Sequence, residues 1–322
     1  MGGLVSPAGE VWDVSTSIRQ THLSITPPSP FDYECTAHSH GWVVLAPNAW
    51  DPERSALQRV ERLSSGKVVL LDITGAGSVE RPRIAIEVSH SGKLSQEEQS
   101  EVTAAVGRMF RVSEDFSEFY ALCRERGERW SKLSAGLGRL LRSPTLFEDI
   151  VKTICTTNIQ WGGTTRMIAG LVNALGEPYP GDVALRAFPT PEAVAAAPPE
   201  TFTETVRLGY RGPYVHALAK RVVSGELDLG AFRDQDTPTP QLKKQLLSIK
   251  GVGNYAAATI LMLLGRYDEL AVDTAFRQLV SKKYFDGQRP SDREAQAIYD
   301  DWGKWKYLAF WFDIREGIDQ GS

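Results

Sequence analysis

The chain has 322 residues, 42% hydrophobic and 24% charged, which suits a folded protein with a sizeable core and excludes extended disorder. Lys and Arg number 36 against 40 Asp and Glu, for a net charge of -4, so bulk positive charge is excluded as a means of holding a polyanion. Cys35, Cys123 and Cys155 lack metal-site spacing and no apolar run approaches the roughly 18 residues of a membrane span, which excludes a thiolate-held metal and a spanning helix.

Residues 1–20 are rich in Gly, Ser and Thr and are expected to form a flexible lead-in. Residues 1–10 have neither a basic nor an apolar leader region, and sparse thiols fit a reducing compartment, so a cytoplasmic location is expected. Short Val- and Ile-rich runs at 40–46, 67–73 and 83–88, separated by Gly, Pro, Asn and Asp, predict an antiparallel sheet. In the last run Ile84, Ile86 and Val88 alternate with Arg83, Ala85 and Glu87, the period of a half-buried strand. Ser95 and Glu98 form a capping-box pattern opening a helix to residue 110, and Ser113 starts another.

From Ser143 onward the pattern is helical. Ser143-Pro144 reads as an N-cap followed by proline at the first helical position, with Phe147, Ile150, Val151 and Ile154 as the apolar stripe. Further helices are predicted at 161–175, 191–197, 203–208, 212–224, 240–249, 254–264, 274–284, 292–301 and 307–316, with prolines in the joints. His216 is expected on the surface of its helix. The fold class is therefore α+β: a flexible segment 1–20, an α+β N-terminal domain 21–130 and an all-α domain 131–322.

Lys250-Gly251-Val252-Gly253-Asn254-Tyr255 places two glycines in a tight reversal between two helices. Glycine suits left-handed backbone there, and the N–H groups opening the second helix can bind a phosphate with help from the helix dipole. Lys243, Lys244 and Lys250 add positive charge nearby. A bare αα-hairpin that merely packs closely would need the same glycines. Ile249 before the turn and Ala256, Ala257 and Ala258 after it supply a small, apolar inner face, and Asp273 follows 22 residues beyond Gly251.

In these residues the chain resembles the helix-hairpin-helix DNA glycosylase superfamily, whose members carry such a hairpin and then an essential aspartate. The resemblance runs over about 143–318 and implies that Asp273 is catalytic, its carboxylate stabilising an oxocarbenium-like transition state and helping to activate water. Asp273 also suits the N-cap of the following helix. Members that cut the strand carry a Schiff-base lysine just after the Gly-x-Gly. Tyr255 stands at that position here and has no amine, which implies a monofunctional enzyme.

Leu208-Gly209-Tyr210-Arg211-Gly212-Pro213-Tyr214 resembles a segment of 8-oxoguanine DNA glycosylases, which implies that Tyr210 wedges into the base stack and Arg211 contacts the orphaned base. Cys155-Thr156-Thr157-Asn158 resembles the segment whose Asn enters the vacated space, although Asn158 could instead cap helix 161–175. The closing helix around Phe310 implies a base pocket, with Phe310 and Trp161 as candidates, while Trp161, Trp305 and Trp311 also read as ordinary core.

The site expected from sequence is thus Asp273 for catalysis, Asn158, Tyr210, Arg211, Lys250, Gly251, Val252, Gly253, Asn254 and Tyr255 for DNA, and no metal. No cofactor is required, although the hairpin backbone could hold a monovalent cation. The expected partner is double-stranded DNA with a damaged base, the expected state a monomer. Substrate stays open between an alkylated purine such as 3-methyladenine, favoured by Tyr255, and 8-oxoguanine, favoured by Tyr210-Arg211. A non-catalytic DNA-binding module and an all-α interaction domain are the readings of another class.

Overall fold

The computed structural model describes residues 17–270 and 272–319. Strands β1 (Ile18–Ile25), β2 (Asn48–Asp51), β3 (Ala56–Arg62), β4 (Val68–Gly75) and β5 (Ile84–Ser91) form an antiparallel sheet in the order β1-β5-β4-β3-β2. Its register aligns Leu57, Ile73, Ile86 and Leu23 in one row across four strands. A slip of one residue would turn that row onto the other face, so core burial fixes the pairing.

The strands expected at 67–73 and 83–88 are β4 and β5. The run at 40–46 is instead a tight 3-10 turn, Gly41–Val44, from which Trp42, Val43 and Leu45 are buried. An apolar run without strict alternation does not separate the two. Of the expected lead-in, residues 1–16 lie outside the described residues, while Ile18–Gln20 pair with β5. As an edge strand with a largely exposed face, β1 carries little apolar periodicity.

Helices α1 (Tyr33–Ala37), α2 (Gln96–Met109), α3 (Ser117–Glu125) and α4 (Glu128–Ser131) accompany the sheet. The Ser95 capping box is present, with the Ser95 hydroxyl accepting from the Glu98 N–H at 3.2 Å and the Glu98 carboxylate from the Ser95 N–H at 2.8 Å. Next come α5 (Leu146–Thr156), α6 (Trp161–Leu175), a hairpin of β6 (Pro178–Tyr179) and β7 (Asp182–Arg186) that was not expected, α7 (Pro191–Ala196), α8 (Gly212–Val223), α9 (Thr239–Leu247), α10 (Asn254–Leu263), α11 (Thr274–Tyr284), α12 (Asp292–Ala297) and α13 (Lys306–Asp319).

Three helices differ from expectation. Thr145, not Ser143, caps α5, because the Ser143 N–H is drawn 2.9 Å from the Asp149 carboxylate inside the helix. Residues 201–205 form one π-helical turn in place of the helix at 203–208. The helix expected to 301 ends at Ala297, and a 3-10 stretch, Asp300–Trp305, follows. His216 is buried, its Nε2 3.1 Å from the Ala195 carbonyl and its ring 5.1 Å from Phe202.

Two charged junctions hold the helices in place, the first of them against the sheet. Arg59 of β3 is buried and bonds both oxygens of Glu148 on α5 at 3.0 and 2.7 Å, and Glu148 also pairs with Lys152 at 2.7 Å. Such buried charges are tolerable because they satisfy one another. The second junction holds α10, which is buried along most of its length, as expected of a helix that is apolar all round. Arg111 donates to the carbonyls of Met262 and Leu263 at 2.9 and 3.0 Å, and Arg142 to that of Leu263 at 2.9 Å. These cations cap the negative end of α10, while its opposite end opens at the hairpin.

The α+β class is as expected. One apolar core runs from Phe31 through the sheet and helices to Phe310, so a domain division near residue 130 is proposed on topology rather than on separate cores.

Candidate functional site

The two hairpin glycines are not equivalent. Gly251 has φ +92, and a Cβ there would lie 2.6 Å from the ring of Tyr214, so both conformation and space require glycine. Gly253, the N-cap of α10, has extended backbone and nothing within 4 Å of a Cβ position. It leaves the opening of the helix uncovered, where the first-turn N–H groups have no intrahelical carbonyl. Val252 is buried and Asn254 exposed, and the Lys250 ammonium lies 5.6 Å from the Tyr214 ring. Lys243 differs from expectation: it is paired with Glu269 at 2.7 Å and contributes little free charge.

Tyr214 also meets Tyr210 edge-on, with ring centroids 6.0 Å apart. The Tyr210 turn and the hairpin are thereby neighbours, joined by a residue to which the sequence reading gave no role. Tyr210 is 51% exposed on a 3-10 turn, Gly209–Arg211. Its hydroxyl lies 3.5 Å from Asn158 Nδ2 and 3.4 Å from the Thr157 carbonyl. Asn158 has φ +50, a left-handed conformation that asparagine tolerates better than most residues. It does not cap α6, whose N-cap is Gln160.

Arg211, expected to contact an orphaned base, has protein partners in this structure. It is buried, hydrogen bonded to the Thr157 carbonyl, with its guanidinium carbon 4.4 Å from the Tyr210 ring. In this arrangement it is a strut beneath Tyr210 and the Thr157-Asn158 turn. A guanidinium with a buried carbonyl partner and a ring to stack on has reason to stay inside.

Asp273 is the N-cap of α11, its Oδ1 accepting from the Phe276 N–H at 2.7 Å. It remains partly exposed and lies close enough to Tyr255 and Tyr307 to act on both. Burial and then the Asp273 carboxylate push the Tyr255 phenol up. Burial, Tyr255 and Asp273 do the same to Tyr307. Both therefore stay protonated at neutral pH and can donate, while neither offers an amine.

Of the expected pocket residues, Phe310 is core. It is 4% exposed, edge-on to Phe276 at 5.0 Å and to Tyr307 at 6.2 Å, because α13 turns this face inward beneath α11. Trp161, read also as core, is 43% exposed, and a Cβ at Gly41 would lie 2.3 Å from its indole. Beside Gly41, the His40 ring is 6.3 Å from Trp311, which stacks on Tyr307 at 6.4 Å. The rings of His40, Trp311 and Tyr307 thus form a series that ends near Asp273, and Trp161 packs on the backbone of Gly41 next to it. The sequence reading gave His40 and Gly41 no part in the site because they come from a chain segment far from the hairpin, whereas Tyr307 lies in the closing helix that it assigned to the pocket. Trp305 is core as expected, whereas Trp311 is only partly buried.

Among the described residues no cluster of His, Cys, Asp or Glu could hold a metal ion, and no helix is long and apolar enough to cross a membrane.

Residues 151–304 match the model of HhH-GPD superfamily base excision DNA repair proteins. The fold is shared with a 3-methyladenine DNA glycosylase from Archaeoglobus fulgidus at a TM-score of 0.72 and 22% identity, covering 92% of this chain and 99% of that one. It is shared with MBOgg1 in complex with a low-affinity DNA ligand at 0.72 and 19%, covering 95% and 100%. An 8-oxoguanine glycosylase/lyase from Clostridium acetobutylicum, in complex with double-stranded DNA containing cytosine opposite 8-oxoguanine, follows at 0.68 and 17%, covering 95% and 99%. At these identities the likenesses establish the fold.

Proposed function

With residues 151–304 belonging to the HhH-GPD superfamily of base excision DNA repair proteins, we propose that this chain is a monofunctional DNA glycosylase that flips out and hydrolytically removes an alkylated purine. The observation that carries this reading is the placement of Asp273 beside Tyr255, at the position where a lyase would need an amine. The hairpin backbone from Gly251 to Tyr255 and Lys250 would hold a phosphate of the duplex, with Tyr210 and Asn158 facing the gap left by the flipped base.

In the reaction the N-glycosidic bond breaks, its electron pair leaves with the base, and positive charge develops on the sugar. Asp273 stabilises that charge and takes a proton from the water that bonds to C1′. A cationic alkylated purine leaves as a neutral base, so one carboxylate and an aromatic pocket suffice. Trp161, exposed beside Gly41, supports such a pocket, because electron-rich indole favours an electron-poor base.

An 8-oxoguanine substrate is the second reading, favoured by the Leu208 to Tyr214 segment and by the glycosylase/lyase neighbour. A non-catalytic DNA-binding module would leave Asp273 without a task beyond its cap. We take the enzyme as a cytoplasmic monomer without cofactor, with a monovalent cation at the hairpin backbone as an optional ligand.

A panel of duplexes, each with one lesion and scored for base release before and after alkali, tests the assignment. The expected result is release of an alkylated purine with strand breaks only after alkali, reduced by about 100-fold or more in Asp273→Asn. Undiminished release by that variant would overturn the reading.

A further inference from the structure

Asp313 on α13 is a carboxylate with no exposure to solvent, and four side chains converge on it. Oδ1 receives the Lys283 ammonium at 2.7 Å and the Arg129 guanidinium, and Oδ2 accepts from Tyr284 at 2.6 Å and Tyr299 at 2.7 Å. Burial alone would push the Asp313 carboxyl up, but Lys283, Tyr284, Arg129 and Tyr299 more than offset this and hold it below the usual range.

The partners define what the hub holds. Lys283 and Tyr284 are the last two residues of α11, the helix that Asp273 caps at its start. Near that start the Phe276 N–H holds the Asp273 carboxylate, while the Phe276 ring is edge-on to Phe310 at 5.0 Å and 6.3 Å from Tyr299. Tyr299 thus touches both ends of the arrangement, through Phe276 by packing and through Asp313 by hydrogen bonding. Phe310 and Asp313 are both on α13.

We infer that Asp313 is a positioning residue for the reaction, fixing α11 against α13 so that Asp273 is held at the height the sugar requires. This rests on the assignment of Asp273 above. A helix of this length is about 16 Å long and behaves as a stiff rod, so release of its far end shifts or tilts the near one. A misplacement near 1 Å can cost about 100-fold in rate while leaving binding intact.

The test is single-turnover base release from dimethyl-sulfate-treated duplex DNA by Asp313→Asn, paired with its affinity for a duplex carrying a tetrahydrofuran abasic analogue. Release is expected to fall about 10- to 100-fold, with affinity changed by less than about threefold. In an Asp273→Asn background the same substitution should cost nothing further, since its effect passes through that carboxylate. Wild-type release by Asp313→Asn, or the same fractional loss in both backgrounds, would overturn the inference. Where Asp313→Asn does not fold, Tyr299→Phe decides: it keeps the ring packing, removes one hydroxyl, and should lose release several-fold in the Asp273 background only. Failure of the underlying reading looks different, because Asp273→Asn would then release base at the wild-type rate.

Discussion

The ring of Tyr214 occupies the space beside Gly251, 2.6 Å from where a Cβ would stand. This contact ties the hairpin to α8 and to the Tyr210 turn, and makes the first glycine a requirement of the fold. Gly251→Ala meets the clash and also the left-handed penalty at φ +92, so a loss of about 1–2 kcal/mol in stability is expected, measured by urea denaturation. Gly253→Ala has room and an ordinary backbone conformation. It should unfold at the wild-type midpoint yet bind duplex DNA several-fold more weakly by fluorescence anisotropy, because its methyl group would stand where the proposed function seats a phosphate.

Tyr210 and Arg211 are adjacent in sequence but opposite in exposure, and their variants should separate accordingly. Tyr210→Ala removes a half-exposed ring and is expected to leave the thermal midpoint nearly unchanged while abolishing the preference for an abasic-analogue duplex over an intact one. Arg211→Ala strips the Thr157 carbonyl of a charged donor in a buried place, which costs about 1–3 kcal/mol. A stable Arg211→Ala protein with only its opposite-base preference altered would favour a base-reading role for Arg211 over a structural one.

Residues near each other in sequence could be read correctly because short-range physics governs them. The Gly251 to Gly253 turn, the Ser95 capping box and the Asp273 cap each follow from a few neighbouring residues. What could not be read was set by distant contacts. The segment at residues 40–46 has strand composition, yet Trp42, Val43 and Leu45 are buried from a turn that packs against Trp161 and Trp311. Phe310 and Trp161 were both aromatic candidates, and only tertiary packing distinguishes the ring that α13 buries from the one left at the surface. The β1 edge strand escaped notice for the complementary reason, that its partner β5 supplies the pairing its own pattern does not announce.

The junction of sheet and helices gives a pH signature. Burial acts to raise the Glu148 carboxyl, but Arg59 and Lys152 outweigh it and hold it at about 2, from an ordinary value of 4.5. A depressed folded-state value means that the stabilisation is present above the unfolded value and lost as pH falls from about 4.5 toward 2. Burial pushes Asp149 and Glu61 up, which slopes the opposite way, so the raw profile mixes both signs. The informative quantity is the difference between wild type and Glu148→Gln. Glu148→Gln should be less stable than wild type at pH 6, by an amount on the order of 3 kcal/mol, and the gap should narrow as pH falls to 3. A gap that stays constant across this range would show that the Glu148 charge does not link folding to pH.

In the proposed function, the distinction between hydrolysis and strand cleavage turns on Tyr255. Tyr255 stands in the first turn of α10, 39% exposed and close enough to the Asp273 carboxylate for that charge to help push its phenol up. A lysine there would reach the same neighbourhood, and the nearby carboxylate could help to remove protons during imine formation. Tyr255→Lys is therefore expected to form a borohydride-trappable adduct with abasic duplex DNA, and wild type is expected to form none. Tyr255→Phe controls for loss of the hydroxyl and should retain base release within about tenfold, since a single donor beside a working carboxylate contributes on the order of 1 kcal/mol. Trapping of wild type would mean that another amine, with Lys250 the nearest in sequence, reaches the sugar and that the enzyme is not monofunctional.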